Sequence, residues 1–465
     1  MSTPSTTKRS TTSTTSSGSS DLNPNRSTSS MGTLKKIFGG DTRQLGMIIA
    51  LVALIIFFQI KTGGLTLTPD NVINLFQGNS YILVLAIGMV LVIIAGHIDL
   101  SVGSIAAFAG IVVATAMRDW NLPWFVGVLL GLAVGALIGV WQGIWVAYVG
   151  IPAFIVTLAG MLIFRGANQF VGKSNTIPVN EHFQKIGAGY LPEVGPDTGY
   201  NNFTVLIGIV LAVLIVVGQL RSRRALSKVG ADLEEPWVMW TRLVLICAAI
   251  IAATLLFASG RRGTSFPISG VILGVLVLVY GFISTRTIIG RHIYAVGGNR
   301  HAAELSGVKS KKVNFLVMMN MAILAALAGM MFVARSNASG PFDGVGWELD
   351  AIAAVFIGGA AVTGGVGTVV GSIIGGLVMA VLNNGLQLLG IGADATQIIK
   401  GLVLLIAVAF DVYNKSQGRA SLIGLMMRNF RGGGGSSVEP PSAATDAPSA
   451  ATETAPVQES IRQGS

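Results

Sequence analysis

Long apolar runs, broken by short polar links, fill the chain between residues 44 and 415. Crossing a hydrocarbon layer of about 30 Å takes about 20 apolar residues in a helix. Runs of that kind lie near residues 44–60, 79–96, 100–117, 123–148, 152–171, 203–220, 241–259, 267–285, 313–334, 348–362, 366–389 and 396–413. Lipid satisfies no backbone polar group, so each run is expected to be helical. The tenth is short and suits either a span or a re-entrant piece. The pattern predicts an all-α integral membrane protein with about 10–12 transmembrane helices.

Basic residues order these spans. Lys35, Lys36 and Arg43 precede the first, and Arg221, Arg223, Arg224 and Lys228 follow the sixth. A strongly basic stretch, GRHIYAVGGNRHAAELSGVKSKK from Gly290 to Lys312, follows the eighth; Lys415 and Arg419 follow the last. All four clusters fall on one side if there are twelve spans with both termini in the cytoplasm. The loop 172–202, with Pro178, Pro192 and Pro196 and no arginine, then faces outward, as do Arg261 and Arg262. Within the basic stretch, Asn299 is placed to cap a short helix over 301–305, and Gly307 to end it.

Glycine spacing predicts tight helix packing. The fourth run carries Gly127, Gly131, Gly135, Gly139 and Gly143, and the eleventh begins with Gly367, Gly371 and Gly375. Residues four apart share one helix face, and small ones let two backbones approach where lipid gives no hydrophobic drive.

Composition removes other classes. Of 465 residues, 52% are hydrophobic and 11% charged, with mean hydropathy +0.69. Soluble domains run near a quarter charged. The net charge of +10 sits largely beside the apolar runs, so topology and an anionic lipid bilayer account for it and nucleic acid is not an expected partner. One cysteine, Cys247, allows neither a disulfide within the chain nor a cysteine metal site. Residues 1–43, rich in Ser and Thr, and 416–465, with a GGGGSS run, hold too few apolar residues to order themselves and are expected to be disordered cytoplasmic segments. The first apolar run starts only near Leu45 and no A-x-A site follows, so no cleaved signal peptide is expected.

Polar residues inside apolar runs are the candidates for chemistry. Arg165, Asn168 and Gln169 lie together in the fifth run, and Asn383, Asn384 and Gln387 within about a turn of the eleventh. Amides donate and accept at once, which suits a polar solute along a translocation pathway and equally suits interhelical bonds. Arg165 and Lys400 are expected to meet backbone carbonyls or headgroups. Asp99 or Ser101 can cap the third helix; a proton relay between His97 and Asp99 is the alternative. Asp343, Glu348 and Asp350 form either a solvated rim or a surface for a basic partner. The segment GANQFVGKS, 166–174, imitates a phosphate-binding loop but has Ala167 where that pattern needs glycine. With no metal-ligand cluster, no nucleophile–base set and no cofactor expected, an intrinsic enzyme is not expected either.

Five segments together resemble the permease subunits of monosaccharide ABC importers, in the branched-chain amino acid/ribose-type permease superfamily. They are AGHIDLSVGS (Ala95–Ser104), VGIPAFIVTLAGMLIFRG (Val149–Gly166), GRHIYAVGGNRHAAELSG (Gly290–Gly307), IGGAAVTGGVGTVVGSIIGG (Ile357–Gly376) and LNNGLQLLGI (Leu382–Ile391). The resemblance covers roughly 44–415, and the extra apolar segments over 203–259 are similar to the longer xylose-type members. It implies a transmembrane permease domain over 44–415 whose loop 286–312 docks on an ATP-binding subunit. HAAELSG, 301–307, resembles the EAA-x3-G pattern of importer permeases, with His301 where an acid is common. On that likeness Gly297, Gly298, Asn299, Ala302, Ala303, Glu304 and Gly307 carry ATPase coupling, the two alanines forming a small knob. The implied partners are the ATP-binding subunit, an extracytoplasmic sugar-binding protein and a second permease copy. A cargo such as ribose, galactose, inositol or a nucleoside, and a proton-driven secondary transporter, are the alternative readings.

Overall fold

The computed structural model describes residues 42–230, 235–261 and 263–416. The segments expected to be disordered, 1–43 and 416–465, lie outside the described residues apart from Thr42, Arg43 and Ser416, which are helical; Arg262 also lies outside them.

Helices make up most of the described chain. In order they are α1 (Thr42–Lys61), α2 (Pro69–Ile94), α3 (Val102–Asp119), α4 (Trp124–Ile144), α5 (Ala153–Gly172), α6 (Glu181–Ala188), α7 (Asn202–Lys228) and α8 (Pro236–Ala258). Then come α9 (Ile268–Arg286), α10 (Ile288–Gly298), α11 (Arg300–Leu305), α12 (Ser310–Ser336), α13 (Trp347–Ile357), α14 (Val369–Leu388) and α15 (Ala393–Ser416). A π turn, Trp145–Val149, extends α4. Among the described residues nine helices are long and apolar enough to cross a membrane: α2, extended α4, α3, α5, α7, α8, α9, α12 and α14. The short tenth run is α13, only 11 residues. At 1.5 Å per residue it reaches about 16 Å, half a bilayer.

Burial sorts the helices. α2 from Ile82 to Ile94 and most of α12 are buried on every side, which makes them the central pair. α7 and α8 pack chiefly on one another and leave their apolar faces outward. At one end of the bundle, β1 (Ile177–Pro178) pairs antiparallel with β2 (Ala338–Ser339), so the 172–202 loop is joined to the segment after α12. At that same end the Arg261 backbone N–H meets Asp70 Oδ1 at 3.1 Å. The other end carries α10 and α11 and is the more basic one.

The glycine series of α4 lies against α12 like a zip. A Cβ placed on Gly131 would sit 2.4 Å from Met330 Sδ, on Gly135 2.6 Å from Ala326 Cβ, on Gly139 2.6 Å from Met319 Cα and on Gly143 2.8 Å from a Phe315 ring carbon. Gly371 and Gly375 press on α13 in the same way, at Gly358 O and Ala354 O. Gly367, expected on that helix, lies before it. Gly139→Leu is expected to destabilise by about 3 kcal/mol or more, because the clash is with backbone that cannot rotate away. Gly274→Leu on α9, which has nothing within 4 Å, should stay near neutral. Thermal unfolding in detergent compares the two.

Candidate functional site

The basic end is built around a junction of three backbones. Thr287 caps α10 by accepting from Gly290 N at 3.2 Å, and Ile293 and Val296 bury the inner face of that helix. The helix then reaches Gly297, where a Cβ would lie 1.6 Å from Ile94 O at the end of α2. Gly365, from the loop between α13 and α14, donates its N–H to that same Ile94 O at 2.8 Å. Gly364 and Gly365, with φ of +81° and +72°, lie against Gly297 and Gly298. Tyr294 adds a side-chain tie, its hydroxyl donating to Gly367 O at 2.7 Å. Only glycine permits this approach, since any side chain at 297 would occupy space held by another main chain.

From the junction hangs α11. Asn299 ends α10 and caps α11, its Oδ1 accepting from Ala302 N at 3.0 Å. The helix stops on Gly307 at φ +85°, with Gly307 N donating to Glu304 O and Val308 N to Ala303 O. That paired arrangement satisfies the last carbonyls. The predicted short helix is therefore present and starts one residue earlier, at Arg300. Its phase corrects the expected knob. Ala303 is buried against this chain's own core, and Ala302 is exposed. Glu304 is engaged locally: Arg300 Nε donates to it at 3.0 Å and the Ser310 hydroxyl binds it closely. The Ser310 hydrogen bond, and then the Arg300 guanidinium, hold this carboxyl below the usual glutamate range. The outward face instead presents His301, Ala302 and Leu305, the last 79% exposed. An exposed leucine is inconspicuous in so apolar a chain.

A buried polar knot joins α3 to α4. Asp99 Oδ1 accepts from Ser101 N at 2.8 Å and from its hydroxyl at 2.5 Å, and Gln142 Nε2 donates to Ser101 Oγ at 2.7 Å. Ser101 holds the N-cap position of α3 without a side-chain cap of its own, and Asp99 accepts from the backbone N–H of that N-cap residue rather than from the first turn. No hydrogen bond joins His97 to Asp99, so the relay geometry is not formed. Gln142 was missed in the sequence because nothing in a glycine-rich run marks one amide as the partner of a distant turn.

At the far end, α13 is held by two ion pairs. Lys400 Nζ lies 2.9 Å from Asp350 Oδ2, and Arg165 Nη2 lies 3.8 Å from Glu348 Oε1. Both acids are buried and stand in the first turn of α13, where the helix dipole favours negative charge. They are not an exposed rim, and the two cations meet carboxylates rather than carbonyls or headgroups. Tyr81, Phe332 and Trp347 stack beside them with ring centroids 4.3–5.1 Å apart. Asp343 accepts from Gly340 N at 2.7 Å. Lys400→Ala should cost about 3 kcal/mol by leaving Asp350 without its counter-ion. Lys400→Met with Asp350→Leu should recover much of that in the same melting assay. Equal losses in the single and double variants would contradict an ion-pair latch.

The pathway amides do not converge. Asn168 donates to Gly340 O and Pro341 O at 3.2 and 3.0 Å, fastening the loop after β2. Asn384 exchanges two 2.9 Å hydrogen bonds with Asn71 of α2. Gln169 and Asn383 are half-buried and Gln387 is exposed. α5 packs on α3, whereas α14 packs on α13, α2 and α1. The imitation phosphate loop is the end of α5, where Lys173 and Ser174 take φ of +51° and +56°. Among the described residues no group of His, Cys, Asp and Glu is placed to hold a metal.

Comparison with known proteins bears on this architecture. The family model for the permease component of branched-chain amino acid transport systems matches residues 71–408. The xylose transport system permease protein XylH of Haemophilus influenzae is 38% identical over 379 residues, 80% of this chain and 96% of that protein. The protein of the same name from Escherichia coli K12 is 37% identical, over 79% of this chain and 91% of its own length. The ribose import permease protein RbsC of E. coli K12 is 34% identical, over 79% and 94%. No solved structure matches. A glycine-zipped bundle of membrane helices, matched along almost the whole of its apolar length, thus belongs to the branched-chain amino acid transport system permease component family.

Proposed function

We propose that this chain is the membrane-spanning subunit of an ATP-driven importer of monosaccharides, D-xylose first among them, in a bacterial cytoplasmic membrane. The observation that carries this reading is α11: a short, capped, outward-facing helix mounted on a backbone junction that touches both α2 and the loop leading from α13. The similarity to xylose permeases supports the cargo. On the positive-inside bias α10 and α11 face the cytoplasm, and both termini are proposed to share that side.

An ATP-binding subunit grips α11 and supplies the force, since the chain carries no phosphate-binding loop of its own. The push passes through Gly297 into the end of α2 and, through Gly364 and Gly365, into the loop that begins at the end of α13. The half-helix then moves against its two ion pairs at the opposite end. Interfaces that are backbone to backbone have no side chains to absorb such a displacement. A second copy of the chain completes the pathway, and an extracytoplasmic sugar-binding protein delivers cargo to it. Asn168 and Asn384 serve the scaffold, which leaves Gln169, Asn383 and Gln387 as the amides to meet sugar.

Proteoliposomes holding the chain, its ATP-binding subunit and an external sugar receptor should take up xylose only when ATP is enclosed in the lumen, the side on which the ATP-binding subunit docks. Omitting the ATPase should abolish uptake. Uptake driven by an imposed pH gradient alone would instead establish a secondary transporter. The ribose-type relatives favour ribose as a second cargo, and sugar titrations into the purified receptor decide between the two.

A further inference from the structure

Two cavities beside the junction share a wall. The first, about 350 Å³, is bounded by His292, Lys309 and Lys312 and lies where α12 begins. The second, about 200 Å³, is lined by Ile283, Ile293, Val317 and Ile323 of α9, α10 and α12. Ile289 and Leu316 border both, so the two form one groove, basic at one end and mostly apolar along the rest, where the Tyr280 hydroxyl donates to the Asn320 side-chain oxygen. No carboxylate lines either part. Lys311, one position away, turns to a separate cavity on the other side of α12.

We propose that this groove binds one anionic phospholipid from the leaflet at the basic end of the bundle. The phosphate rests between Lys309 and Lys312, and an acyl chain lies along Leu316, Val317 and Ile323. Three observations favour lipid over other occupants. The apolar part lies within the height of the α9 and α12 spans, where a water-soluble partner cannot follow. The basic part has two lysines and no acid, so a net negative headgroup is preferred over a zwitterionic one. A second copy related by a two-fold axis through this groove would bring its own lysines against these, like charge to like.

The readout is lipid retention by the full chain, which stands whether or not the transport reading does. The detergent-purified protein is mixed with equal phosphatidylglycerol and phosphatidylcholine, and bound lipid is weighed by native mass spectrometry. Phosphatidylglycerol should be retained about thirtyfold over phosphatidylcholine, in line with the attraction of two interfacial lysines at about 1 kcal/mol each. Lys309→Glu with Lys312→Glu should bring the ratio to one or below at unchanged elution volume. Lys309→Gln with Lys312→Gln provides the same reading without reversing charge. Leu316→Trp, which fills the shared wall and keeps both lysines, should lose both lipids. Equal retention of the two lipids by the wild type, or an undiminished preference in both lysine variants, overturns the site. So does a disulfide between Leu316→Cys residues of two copies, which would put a second chain in the groove.

Discussion

Gly297→Val is expected to abolish ATP-driven uptake, by more than about 100-fold, in a protein that still inserts. Its Cβ would need the space of Ile94 O, 1.6 Å away, and would push off Gly365 N at 2.8 Å. Main chain cannot swing aside as a side-chain tip does, so α10 must lift away from α2. The Gly365-to-Ile94 hydrogen bond breaks with it, and a buried donor left without a partner adds about 1–3 kcal/mol. The spans themselves do not pass through residue 297, so membrane insertion should survive. Gly298→Ala is the informative neighbour, since nothing lies within 4 Å of its Cβ position. It should keep most of the uptake. Similar loss in both variants would show that this region tolerates no change of any kind, and the backbone junction would lose its special standing.

Leu305→Asp should uncouple the machine while leaving the fold untouched. Leu305 is 79% exposed at the end of α11 and its side chain is not part of this chain's core. An apolar side chain held out from a short capped helix offers a partner groove something to enclose, and truncating such an anchor, once enclosed, costs about 2 kcal/mol or more of binding. A charge in its place adds desolvation, so retention of the ATP-binding subunit in a pull-down should fall by about 100-fold, with uptake falling alongside. The melting temperature should stay within a degree or so of wild type. Ala303→Asp is the contrast: Ala303 is buried, so that variant should lose stability before it loses its partner. Normal pull-down with Leu305→Asp would remove α11 as the point of grip.

Much of this architecture was legible in the sequence, because lipid imposes long apolar runs and helical hydrogen bonding on whatever crosses it. The four-residue glycine series also read true, since only small residues recur at that spacing when two backbones touch. What failed to read was direction and pairing. A six-residue helix has too few turns for its buried face to show as a period, so Ala302 and Ala303 were equivalent on paper. Arg165 and Glu348, or Lys400 and Asp350, are far apart in the chain, and only the folded bundle makes them neighbours. The apolar run of this helix reads from about residue 79, since Asn71 and Gln77 interrupt the apolar pattern before it. Gln77 is buried, its amide donating to Ala188 O at 3.3 Å, so the helix begins ten residues earlier than the apolar run suggested. The amides misled for the same reason: residue type announces hydrogen bonding and not the partner. In Asn384 and Asn168 the partner is the protein.

The central claim is that α11, the glycine junction and α13 shift as one body when the ATP-binding subunit closes. Its most direct test is a set of three distances by pulsed electron spin resonance in the reconstituted complex, with Cys247 replaced by serine. Labels on His301 and Leu349 report α11 against α13, and a third on Val244 of α8 gives a lipid-facing reference; all three side chains are exposed. Between the nucleotide-free and the vanadate-trapped states, the His301–Leu349 distance should hold while both distances to Val244 change. A His301–Leu349 distance that changes while Leu349 stays fixed to Val244 would mean the push stops at the junction, and the mechanism would be wrong.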